Sequence, residues 1–275
     1  MIFLNFSGIF EQQPELIGKT SANDENIFKD LKNMTGVNGY CSDEAAEELR
    51  TVIENTKMGD IHFLDNGNYH YISSFFLNMI REPFELAVFD HHTDMQPPGL
   101  IPCLSCGSWV LFAAEDAKAG RNRMRRVLLI GPPKASTAEG VVLVSEEEAV
   151  FATDIPQMAE ELFGDYDAGD PDNALPVYIS VDKDVLTEEE VRLNWDQGAM
   201  SFDTLICWIE AIARKRRVIG LDICGEPLYN QFPDENVRIS EKMNLRLFEL
   251  ARTILDQQNK KEISCRLTES QFPAL

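Results

Sequence analysis

Asp90, His92 and Asp94 stand at alternate positions directly after the apolar run Leu86-Ala87-Val88-Phe89. A short apolar run of this kind reads as a buried strand, so the three ligand-type side chains leave its carboxyl end. A second run, Val177-Tyr178-Ile179-Ser180-Val181, ends in Asp182-Lys183-Asp184, again with alternate carboxylates. Two strands that deliver Asp-x-His-x-Asp and Asp-x-Asp to one sheet edge make a dense cage of oxygen and nitrogen donors. Carboxylates gathered in this way repel one another unless they are neutralised. A pair of divalent cations would offset that charge, and carboxylate mixed with imidazole suits manganese or another borderline metal. Gly67-Asn68-Tyr69-His70 follows a short strand at Ile61-His62-Phe63-Leu64, which would bring His70 to the same edge. Lys183 and His91 alternate with the ligands and are expected on the opposite side, with Lys183 beside a carboxylate.

The elements that must position these groups alternate along the chain. Strands are expected at 2–6, 61–64, 86–89, 126–130, 141–144, 177–181 and 218–221, the last ending in Asp222. Helices are expected at 43–55 behind an N-cap at Ser42, at 69–81, 108–119, 155–163, 201–215 and 240–258. The last of these repeats Met243, Leu247, Leu250 and Ile254 at helical spacing. A Pro/Gly/Cys-rich loop is expected at 95–107, and an acidic, solvated loop at 165–173. Strands alternating with helices imply βαβ units, and so a three-layer α/β/α sandwich around a mostly parallel sheet. The chain reads as a single domain over 1–275. Ligands in such folds bind beyond the carboxyl ends of the strands, where the acidic clusters lie.

Composition sets the outer bounds. Lys and Arg number 25 against 46 Asp and Glu, a net charge of −21, which argues against nucleic acid and suits metal ions or a small cationic substrate. The first residues carry no basic and apolar leader pattern, and no apolar run approaches the ~20 residues of a membrane helix. A cytoplasmic protein without membrane attachment is expected. Six dispersed cysteines make no disulfide framework, although Cys103 and Cys106 form a Cys-x-x-Cys.

The motifs resemble those of the ureohydrolases: arginase, agmatinase, formimidoylglutamase and their relatives. That family carries Gly-Gly-Asp-His after one strand, Asp-x-His-x-Asp after the next and Ser-x-Asp-x-Asp after a later one. This chain has Gly67-Asn68-Tyr69-His70, Asp90-His91-His92-Thr93-Asp94 and Ser180-Val181-Asp182-Lys183-Asp184, over a resemblance covering about residues 60–230. The resemblance implies the arginase-like fold and two Mn2+ ions bridged by Asp90 and Asp182. His70 and Asp94 would complete one ion, His92 and Asp184 the other. It further implies that a metal-bridging hydroxide hydrolyses a linear C–N bond in a guanidino or amidino compound, with Asp94 carrying a proton to the leaving amine. Oligomers are common among the relatives, and the segment 240–275 offers a surface for a homo-oligomer.

The chain also departs from the family pattern. Where the family has His-Gly after its second metal motif, this sequence has Cys106-Gly107. A thiol does not replace imidazole as a proton shuttle. Asn194, Trp195 and Asp196 stand where the family has a Pro/Gly-rich loop, and they become candidates for a different substrate wall. Gln96 is a further candidate by position. The family's Asp-x-x-Glu, whose glutamate grips the guanidinium, is one residue longer here: Asp222-Ile223-Cys224-Gly225-Glu226. Glu226 is expected to reach the substrate if its loop bulges. Two other readings stand beside the leading one: a metal-dependent amide hydrolase of the deacetylase type with one zinc, and a member that binds metal without turnover.

Overall fold

Alternate residues along the central strands pack into two different hydrophobic clusters. In β5 (Phe84–Phe89), Leu86 and Val88 join one cluster, Ala87 and Phe89 the other. In β7 (Met124–Ile130), Val127 and Leu129 oppose Leu128 and Ile130 in the same way. Strands buried on both faces need helices on both faces. β1 (Ile2–Asn5), β2 (Ile27–Asp30), β4 (Ile61–Phe63), β8 (Val141–Val144), β9 (Val177–Asp182) and β10 (Val218–Cys224) complete an eight-stranded sheet. Its order is β2-β1-β4-β10-β9-β5-β7-β8, and every pairing is parallel. A small antiparallel ladder joins β3 (Tyr40–Cys41) to β6 (Leu104–Ser105). The computed structural model describes residues 1–21, 27–54, 61–97, 103–135, 137, 139–163, 175–228, 231 and 234–271, with backbone alone at 21, 259 and 261–271.

One face is covered by α2 (Asp43–Glu54), α3 (Ser73–Leu77) and α4 (Trp109–Lys118), which bury Leu49, Ile53, Phe76 and Trp109. The other is covered by α1 (Pro14–Ser21), α5 (Glu146–Val150), α6 (Ile155–Phe163), α7 (Phe202–Lys215) and α8 (Asp234–Gln271). Their apolar stripes bury Leu16, Ala149, Phe163, Trp208 and Leu247. Side-chain caps mark helix starts: Ser201 accepts from the Thr204 N–H ahead of α7, and Ser145 and Glu148 form a capping box at α5. The expected α/β/α layering is therefore the observed one. No helix among the described residues is long and apolar enough to cross a membrane.

Several elements differ from expectation. The helix expected over 69–81 is a 3-10 turn, Gly67–Ile72, followed by the short α3. Every residue from Tyr69 to Leu77 is buried, so the segment lacks the exposed face along which a surface helix would continue. β10 runs on to Cys224, which puts Asp222 inside the strand rather than at its end. There the Asp222 carboxylate accepts from the Tyr178 hydroxyl at 2.5 Å and lies 2.7 Å from His62 Nδ1, whose ring stacks on Phe76. α8 begins six residues before the expected start and spans 38 residues, with Asp234 and Glu235 facing its N-terminal dipole. α1 and β2 escaped the sequence reading; β2 is a half-exposed edge strand whose alternation, Ile27-Phe28-Lys29-Asp30, is too short to stand out. The acidic stretch 165–173 lies outside the described residues, as do the side chains of most of the 259–275 tail.

Candidate metal centre

β4, β10, β9 and β5 are consecutive in the sheet, and the segments that follow β4, β9 and β5 converge beyond their carboxyl ends. His70 comes from the 3-10 turn after β4, where Asn66 caps the turn by accepting the Asn68 N–H. Asp90 lies one residue beyond β5, Asp182 is the last residue of β9, and Asp184 stands in the 3-10 turn Lys183–Val185 that follows. Asp94 adopts a left-handed conformation, φ 49°, unusual for a residue with a side chain. Its carbonyl accepts from Val110 N–H at 3.0 Å and its carboxylate from Trp109 Nε1–H at 2.6 Å, contacts that hold it there.

Five of the six side chains meet in two overlapping groups, and Asp94 approaches the first of them through His70. His70, Asp90 and Asp182 bring their ligand atoms within 4.8 Å of one another, and so do Asp90, His92 and Asp184. His70 Nδ1 lies 3.0 Å from Asp90, 3.3 Å from Asp94 and 3.5 Å from Asp182. It is buried, yet none of these approaches has hydrogen-bond geometry, so the nitrogen is left without a partner. The other ring nitrogen, Nε2, bonds Ser180 Oγ at 2.9 Å, which orients the imidazole. His92 Nδ1 lies 2.9 Å from Asp184 and 3.5 Å from Asp90. Backbone donors brace the carboxylates: His91 N–H to Asp184 at 3.0 Å, and Asp184 N–H to Asp182 at 3.1 Å.

The electrostatics of the cage call for positive charge. Burial, then repulsion from Asp184, pushes the Asp182 carboxyl well above the usual carboxylate range. Burial, then Asp90, pushes Asp184 up too, and burial raises Asp94 as well. Hydrogen bonding to Asp184 and then Asp90 raises His92 to about 11. A buried imidazole nitrogen aimed unpartnered at three carboxylates, with a donor set of four carboxylates and two imidazoles, fits divalent cations of the manganese class.

A cavity of about 200 Å³ opens over the cage, walled by Gln96, Ser105, Cys106, Trp195 and the backbone of Gly39, Gly67 and Gly107 as well as by the acidic residues. Trp195 is part-exposed; its indole donates to Asn68 Oδ1 at 2.9 Å and meets the His92 ring edge-on. A side chain at Gly67 would start 2.8 Å from that indole, so the wall closes against bare backbone. Burial, then Asp94, pushes the Cys106 thiol up to about 12, which leaves it a neutral group. The described cysteines, Cys103 and Cys106 among them, are free thiols.

Of the substrate-wall residues expected from sequence, Gln96, Cys106 and Trp195 line the cavity, whereas Asn194 and Asp196 do not. Asn194 turns its amide to Asn68 at 3.4 Å, and Asp196 is exposed. Glu226 is the main correction. It is fully buried away from the cavity, where its carboxylate accepts from Lys183 Nζ (2.5 Å), Asn244 (2.6 Å), Gln13 (2.6 Å) and Ser240 (2.8 Å). β10 pairs regularly from Gly220 through Cys224, and the left-handed Gly225 (φ 83°) stands at the turn that leads to the buried Glu226. His91 also leaves the cage, its Nδ1 3.4 Å from Glu146. Sequence reading missed Trp109, which holds Asp94, and Ser180, which holds His70; Ser180 was visible only as part of a motif.

No family model matches the chain. Among solved structures, agmatine ureohydrolase of Thermoplasma volcanium superposes with a TM-score of 0.60 at 15% identity, covering 94% of this chain and 89% of that one. Arginase from Bacillus caldovelox gives 0.60 at 13%, covering 88% and 95%. Proclavaminate amidino hydrolase from Streptomyces clavuligerus gives 0.57 at 16%, covering 77% and 71%. In fold, then, the chain is arginase-like. A curated relative, an uncharacterized protein of Thermotoga maritima, is 30% identical over 243 residues, covering 88% of this chain and 85% of that protein. The chain belongs to the same family as that protein.

Proposed function

We propose that the chain is a binuclear, manganese-class metal hydrolase that cleaves a linear C–N bond at a planar, nitrogen-bearing carbon. The observation that carries this reading is His70 Nδ1, buried and unpartnered against Asp90, Asp94 and Asp182. His70, Asp94 and the shared Asp90 and Asp182 would hold one cation; His92 and Asp184, with the same two shared carboxylates, would hold the other. When bound, the cations supply Lewis acidity and lower the pKa of a water. Asp94 is the residue to move a proton, since its carboxylate is fixed by Trp109 Nε1–H and by its own left-handed backbone. Gln96, Cys106 and Trp195 orient the planar group and exclude bulk water from the cage.

The reaction balances with water alone. The water oxygen bonds to the trigonal carbon, one water proton ends on the departing nitrogen, and the C–N bond breaks. Guanidino and amidino compounds are one substrate class, supported by the activities in the names of the similarly folded proteins. Amides and ureides are the second, and the burial of Glu226 favours them. The chain's charge of −21 further supports a role with cations, whether bound as metal or drawn as substrate.

The test is elemental analysis of protein purified with manganese, for the wild type, Asp90→Asn and His92→Ala, followed by an assay of amine or ammonia release. Two metals per chain, lost in both variants, together with C–N hydrolysis, is the expected result. One zinc per chain would move the reading to a mononuclear amide hydrolase. Metal binding without turnover of any C–N substrate would make the chain a metal-binding protein and end the enzyme reading.

A further inference from the structure

A guanidinium or amidinium brings a full charge and only donors, and a water-excluded site that takes one must supply a carboxylate not already neutralised. The four cavity aspartates cannot serve, because two divalent cations cancel their charge and Asp94 already accepts from Trp109. The rest of the described lining offers no carboxylate: His92, itself a candidate metal ligand, with Gln96, Ser105, Cys106, Trp195 and glycine backbone. Glu226 has both carboxylate oxygens occupied by four donors, and withdrawing it would strand Lys183, whose side chain is 0% exposed. The position before it cannot substitute either. A Cβ at Gly225 would stand 2.4 Å from Asp182 Oδ1, so the backbone itself fills that approach.

The walls that remain can both donate and accept. Gln96 offers a carbonyl and an amide NH2, Ser105 a hydroxyl, and Trp195 a planar ring edge-on to His92. That pattern matches a group with a carbonyl acceptor and N–H donors. We infer that the cavity selects an uncharged linear amide or ureide and discriminates against the corresponding amidinium or guanidinium. This rests on the reading of the cavity as a C–N hydrolase centre. An amide plus water gives a carboxylic acid and an amine or ammonia; a ureide plus water gives a carbamic acid and an amine or ammonia.

Matched probes test the charge preference on manganese-loaded protein: N-propylurea against N-propylguanidine, and butyramide against butyramidine. Initial rates of amine or ammonia release and calorimetric binding are both measured. The neutral member of each pair is expected to lead by about tenfold or more, a free-energy difference of about 1.4 kcal/mol. Gln96→Glu places a carboxylate in the wall and is expected to move the ratio by about tenfold toward propylguanidine and butyramidine; Ser105→Asp repeats the test should Gln96→Glu fold poorly. Preference of the wild type for the cations would overturn the inference, and so would unchanged ratios in both folded variants. If no probe is turned over but the neutral probes bind better, the hydrolase reading falls and the charge inference stands. If metal-loaded protein binds and turns over none of the four, the inference falls.

Discussion

Asp182, Lys183 and Asp184 are neighbours in sequence, yet they belong to two chemically opposite regions. On one side Asp182 and Asp184 join a cage with four carboxylates, an unpartnered imidazole nitrogen and opening to a cavity. On the other, Lys183 Nζ meets Glu226, Ser240 and Asn244, a sealed cluster in which one cation faces one anion and the neutral groups complete the hydrogen bonding. The sealed cluster carries its own counter-charge and so behaves as structure. In the cage four carboxylates outnumber two imidazoles, and a partner from outside has to make up the difference. A local charge imbalance that the fold leaves open distinguishes a site for chemistry from a buried ion pair that holds two elements together.

The sharpest way to break this contrast is to remove one shared ligand from the cage. Asp90→Asn is expected to lose bound manganese and to cut C–N hydrolysis by about a thousandfold or more, read by elemental analysis and initial rates. The fold should survive, with an unchanged far-ultraviolet spectrum, because the change removes one of several repelling charges. The sealed cluster should respond in the reverse sense. Lys183→Met strands a buried carboxylate and is expected to cost about 3–5 kcal/mol in denaturant unfolding. Lys183→Met with Glu226→Gln should recover part of that loss; an additive double variant would mean that the pair is not coupled.

Metal removal gives a smaller, complementary effect. A chelator should lower Tm of the wild type, and about 100-fold excess of manganese over its Kd should add about 2.7 kcal/mol, whereas Asp90→Asn should show neither change. A milder break lies beside both regions, at Asp65, a buried residue with φ 73°. Its carboxylate accepts from Phe6 N–H, Ser7 N–H and the Ser7 hydroxyl, tying β1 to the turn ahead of His70. Asp65→Asn turns an acceptor into a donor against those donors and should cost about 1–3 kcal/mol. Equal stability of variant and wild type in denaturant would sink that account.

The cage was legible in sequence because alternation after an apolar run is a local pattern: strand pleat and residue type together put Asp90, His92 and Asp94 on one side. The layer architecture was legible for the same reason. The sealed cluster was not, because Glu226 meets Gln13 across 213 positions and Asn244 across 18, and no local pattern encodes such pairings. Lys183 could be foreseen to turn away from the ligands and find a carboxylate, but not which one. The direction of Glu226 depended on a single left-handed glycine, Gly225, whose effect on the chain path appears only once β10 is seen to run through Cys224.

The position of β10 has a consequence for the order of assembly during synthesis. It is the last strand in chain order, yet it lies in the middle of the sheet, between β4 and β9. Until residues 218–224 emerge, β4 and β9 each lack the partner that joins β2-β1-β4 to β9-β5-β7-β8 in the finished sheet. His70 follows a strand of the first half; Asp182 ends a strand of the second, and Asp90, His92, Asp94 and Asp184 follow its strands. The strand that joins the candidate ligands of the two halves is therefore the last of the described strands to be synthesised.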